Sequence, residues 1–83
     1  MSHVCDVVAV VARALSDEPD EVKVVETSDH GMTLLELFVS PADLGRIIGR
    51  QGRTAAALRT LVAATAERDG IKATLEIRET LPA

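Results

Sequence analysis

The chain has 83 residues, 47% hydrophobic and 27% charged, with a formal net charge of −4. That length supports one domain with a small core, which a single Phe and no Tyr or Trp make aliphatic. The lone Cys5 excludes an intrachain disulfide or a cysteine-cluster metal site, and no apolar run approaches the roughly 18 residues of a membrane span.

No basic stretch leads into an apolar segment and cleavage site at the N-terminus, so a soluble cytoplasmic protein is expected. Charge is unevenly spread. Residues 1–43 carry nine acids and two bases, whereas residues 44–66 carry four arginines and no acid. A short basic segment is set in an acidic body.

In chain order, Val4, Val7, Val8, Val11 and Leu15 recur at helical spacing, with Ser2 as a cap and Asp17 to Pro19 as a stop. Cys5 reads as a small core residue on this helix. A strand through Val7–Val11 is its rival, because valine is a mediocre helix former. Residues 22–27 (VKVVET) and 32–40 (MTLLELFVS) flank a turn-prone Asp and Gly, which predicts a hairpin over 22–39. In its second strand Leu35, Leu37 and Val39 share the face expected to meet the core, with Leu34 and Phe38 on the other.

Ser40, Pro41 and Asp43 then predict a helix start with a capping box, running two turns to Gly49. A further helix starts near Arg53 and continues to Arg68, with Gly70 as its stop. In the last strand Ile71, Ala73, Leu75 and Ile77 alternate with polar residues. The tail, 80–83, is expected to fray. The order α-β-β-α-α-β predicts an α+β domain, a three-stranded sheet covered on one face by three helices.

The break between the two middle helices carries the chemistry. Gly49 and Gly52 supply backbone angles that side chains resist, and on that ground alone they need be no more than a helical corner. Arg46, Arg50, Gln51 and Arg53 add cations and donors beside a helix N-terminus, whose free N–H groups and dipole favour an anion. Neither the nucleotide P-loop nor the dinucleotide fingerprint has this spacing. The string IIGRQGRTAAAL instead resembles the KH-domain signature, an apolar pair, G-x-x-G and a helix. KH domains clamp about four nucleotides of a single strand with this loop.

The element order is similar to the type II KH fold, and DLGRIIGRQGR in so short a chain resembles the small bacterial KhpA (YlqC) family. The resemblance implies a cytoplasmic, single-stranded RNA-binding protein, a chaperone or post-transcriptional regulator. It implies Ile48 on the groove floor, Gly49 to Gly52 on the RNA backbone, and Arg50 and Gln51 as the variable pair facing it. It also implies self-association or pairing with a larger Jag-type KH protein. Without aromatics for stacking bases beyond Phe38, low sequence specificity is expected.

Residues 54–66 are apolar nearly all round, largely through alanine. Ala57, Leu61 and Ala64 are the expected seam against another subunit, with Leu34 and Phe38 as a rival patch. A protein-interaction adaptor using this helix, with a vestigial loop, is the alternative function. No nucleophile–base pair, metal-ligand spacing or cofactor motif is recognisable around His3 or His30, so no enzymatic activity is expected.

Overall fold

The computed structural model describes residues 2–80. Helix α1 spans His3–Leu15, strand β1 Lys23–Asp29 and strand β2 Met32–Val39. Helix α2 (Pro41–Ile48), helix α3 (Arg53–Arg68) and strand β3 (Lys72–Glu79) follow. The result is an α+β domain of the expected element order.

β1 pairs antiparallel with β2, which pairs parallel with β3 in the order β1-β2-β3. His30 and Gly31, both at positive φ (51° and 78°), close the β1–β2 hairpin. That two-residue turn matches the strand twist. It lets pairing continue to Asp29↔Met32, two residues beyond where VKVVET ends. A parallel β2–β3 pair needs a crossover, and α2 and α3 supply it.

Leu35, Leu37, Val39 and Leu75 on one sheet face are buried against Val4, Val8 and Ala12 of α1, Ile47 of α2, and Leu58, Val62 and Ala66 of α3. The other face is uncovered: Lys23, Val25, Thr27, Thr74 and Glu76 are exposed, and Leu34 and Phe38 half-buried. All three helices lie on one side.

Local signals account for the element ends. Ser2 caps α1 by accepting from the Cys5 N–H at 3.1 Å, and its own hydroxyl donates to Glu26 Oε1 at 2.7 Å. Gly70, at φ 73°, ends α3 with the Ile71 N–H on the Ala66 carbonyl and its own N–H on Glu67. This is a Schellman ending.

Three expectations change. The buried face of α1 keeps Val4, Val8 and the expected Cys5 but is completed by Ala9 and Ala12 in place of the outer valines and Leu15. Small side chains let the helix approach closely, which turns Val7, Val11 and Leu15 to the half-buried flank. The α2 capping box does not form. Asp43 is buried, but its carboxylate accepts from the N–H groups of Asp17 and Glu18 (3.0 Å each) instead of the N-cap N–H. Thr80, placed in the frayed tail by sequence, donates its N–H to the Val39 carbonyl at 2.8 Å; residues 81–83 lie outside the described residues.

Candidate nucleic-acid interface

α2 closes with the Gly49 N–H on the Gly45 carbonyl at 2.8 Å, and the chain then reverses within one turn. Gly49 (φ 78°, ψ 170°), Gln51 (57°, 24°) and Gly52 (71°, 16°) all lie at positive φ. The two glycines serve different needs. A Cβ on Gly49 would run into Thr54 Oγ1 and lie 2.9 Å from the Thr54 backbone nitrogen, so the turn closes there against α3. At Gly52 a Cβ would meet nothing within 4 Å. Only its left-handed backbone asks for glycine, and the space above it is open.

α3 begins immediately, with Gly52 as N-cap, no capping side chain and no acid in its first turn. The Arg53 N–H turns back onto the Arg50 carbonyl, while no side chain caps the N–H groups that follow it, and the positive end of the dipole there favours an external acceptor. Arg50, Gln51 and Arg53 are exposed around this end. Gln51 Oε1 accepts from Arg53 Nη2 at 2.8 Å, orienting the guanidinium without neutralising it. Ile48 is half-buried at the last turn of α2, behind Ile47, which is fully buried. Arg46 is differently placed, its Nη1 2.6 Å from Asp17 Oδ1.

A groove of about 330 Å³ lies between α3 and the free edge of β3, lined by Arg59, Val62, Ala73, Thr74, Leu75 and Glu76. Arg59 reads from sequence as a solvated helix residue, and only the strand order shows that it faces an open edge.

A family model, KhpA/KhpB, KH domain, matches residues 5–77. The chain belongs to this family. An RNA-binding protein KhpA of Aquifex aeolicus is 43% identical over 79 residues, 95% of this chain and the whole of the relative. The protein of that name in Caldanaerobacter subterraneus is 44% identical over 72 residues, 87% of this chain and 96% of the relative. In Leifsonia xyli the figures are 54% over 57 residues, 69% and 75%.

Among solved structures, Aquifex aeolicus Era (Y63A, bound to GDP.AlF4-) superposes with a TM-score of 0.67 at 20% identity. It is matched over 95% of this chain and 31% of its own. Era in complex with MgGDPNP and nucleotides 1506–1542 of 16S ribosomal RNA gives the same score and identity, over 95% and 30%. At that identity the likeness concerns the fold.

On this KhpA/KhpB domain the expected seam adjoins the glycine turn through Thr54. Ala57, Leu61 and Ala64 are exposed, Leu61 by 38%. Ala57 and Leu61 line an apolar hollow of about 200 Å³ with Val11, Leu15, Thr54 and Leu58. The α1 contribution escapes a reading of residues 54–66 alone. The histidines lie elsewhere, His3 against Asp69 at 3.2 Å and His30 against Asp29 at the hairpin tip. Among the described residues no cluster of three potential metal ligands occurs, and no helix is long and apolar enough to cross a membrane.

Proposed function

We propose that this domain binds single-stranded RNA by seating the sugar–phosphate backbone on the Gly49–Gly52 turn. The observation that carries this reading is the uncapped start of α3, reached through a turn whose outer glycine opens onto free space. Phosphate oxygens meet the N–H groups that follow Arg53 in the first turn of α3, with Arg50 and Arg53 beside them and Gln51 holding Arg53 in place. Ile48 provides an apolar floor, Arg46 borders the patch, and bases run into the groove between α3 and β3. With so few cations in an acidic chain, affinity is modest and falls with salt. The family's named relatives, RNA-binding proteins, support RNA as the ligand. The role we assign to the domain is that of a cytoplasmic chaperone or post-transcriptional regulator.

The exposed Ala57–Leu61 surface favours an additional assembly role. α3 packs there against a second copy or a larger Jag-type KH protein, bringing two clamps together. An adaptor that uses only this surface is the second reading. Fluorescence anisotropy with short labelled RNA separates the two: replacing Arg50 and Gln51 with Asp abolishes binding if the turn is the clamp. Unchanged affinity contradicts it.

A further inference from the structure

Among the described residues Asp43 is the one buried acidic side chain, 1% exposed. Its Oδ1 accepts from the Asp17 N–H and its Oδ2 from the Glu18 N–H, each at 3.0 Å, and Ser40 Oγ adds a longer contact of 3.4 Å. Releasing either backbone donor would leave a buried charged acceptor short of a partner, so the connection is costly to open. It pins the connector after α1 to the first turn of α2. With its backbone fixed, Asp17 extends its carboxylate to Arg46, three residues beyond Asp43, at 2.6 Å. The other three arginines of the basic segment, Arg50, Arg53 and Arg59, have no acidic partner among the described residues.

We propose that Asp17 is an internal competitor for phosphate at Arg46, held in place by Asp43. The domain then grips RNA through the turn and its open arginines, and Arg46 contributes only when a phosphate displaces the carboxylate. The effect is a looser grip and a shallower salt dependence than the arginine count implies. Asp17 and Asp43 are positioning residues in this scheme, since neither touches RNA. The inference rests on the RNA-binding reading above.

Anisotropy with a labelled single-stranded RNA oligomer across a salt series tests it on the full chain. Asp17→Asn, at a side chain 72% exposed, leaves the fold intact. It tightens binding about three- to fivefold, the size expected for an exposed ion pair that no longer has to be broken. It also steepens the slope of log K against log salt by about 0.7, one more phosphate neutralised. Both gains vanish in an Arg46→Ala background. Asp20→Asn, the same charge change on the same connector away from Arg46, leaves the slope unaltered.

Unchanged affinity and slope in Asp17→Asn, or a gain that survives Arg46→Ala, overturns the proposal while binding to the turn stands. If wild-type protein and Asp17→Asn both fail to bind RNA, the functional reading falls and this one with it.

Discussion

Gly49 and Gly52 look interchangeable in sequence, and their surroundings separate them. Alanine at Gly52 meets only the cost of a left-handed backbone, about 1–2 kcal/mol, with open space for its methyl group. Alanine at Gly49 adds a collision with Thr54, backbone nitrogen included. Urea denaturation should show Gly52→Ala folded and mildly destabilised, and Gly49→Ala destabilised by at least about twice as much. Equal effects would contradict the closure of the turn on Thr54.

Asp43 makes a separate prediction. The Asp17 N–H foremost, then the Glu18 N–H, lower its pKa from the ordinary carboxylate value. A carboxyl whose folded pKa lies below its unfolded value, about 3.9, contributes its full stability above that pH. The contribution is lost as pH falls through the folded pKa. Asp43→Asn should therefore lower the melting temperature at neutral pH and flatten its acid limb. The limb persists in part, because the Ser2 hydroxyl and N–H also lower the pKa of Glu26. An acid limb unaltered in Asp43→Asn would refute the role given to Asp43. The glycine spacing was legible because it is local. The partners of Asp43 were not, lying 25 and 26 residues away.

For the elements, hydrophobic period and capping signals sufficed to place all six, since each start or stop is marked nearby by Ser, Pro or Gly. Which face each helix buries was less legible. Periodicity weights large residues, whereas α1 packs through Ala9 and Ala12 as well as the expected Val4, Cys5 and Val8, because small side chains allow close approach. The same distinction divides α3. Leu58 and Val62 are buried, at 3% and 2% exposure, while Leu61 is 38% exposed. Val62→Asp buries an unpaired charge and should leave the chain unfolded by circular dichroism. The wild type should sediment as a dimer at micromolar concentration, and Leu61→Asp should remain folded and sediment as a monomer. A dimer that survives Leu61→Asp would shift the seam to the Leu34 and Phe38 face.

The whole molecule sets a local basic corner in a chain of net charge −4. That arrangement repels polyanions from most of the surface and leaves positive charge at one end of α3, so on the proposed reading binding should depend on a few contacts. With Arg50 and Arg53 as the open cations at the turn, two neutralised phosphates give a slope of about −1.4 for a single strand. The most direct measurement compares the wild type with the Arg50→Asp, Gln51→Asp double variant by RNA anisotropy across salt, alongside their thermal melts. A wild-type slope near that value, lost binding in the variant and coincident melts are the predicted result. A variant that binds RNA as tightly as the wild type would contradict the clamp.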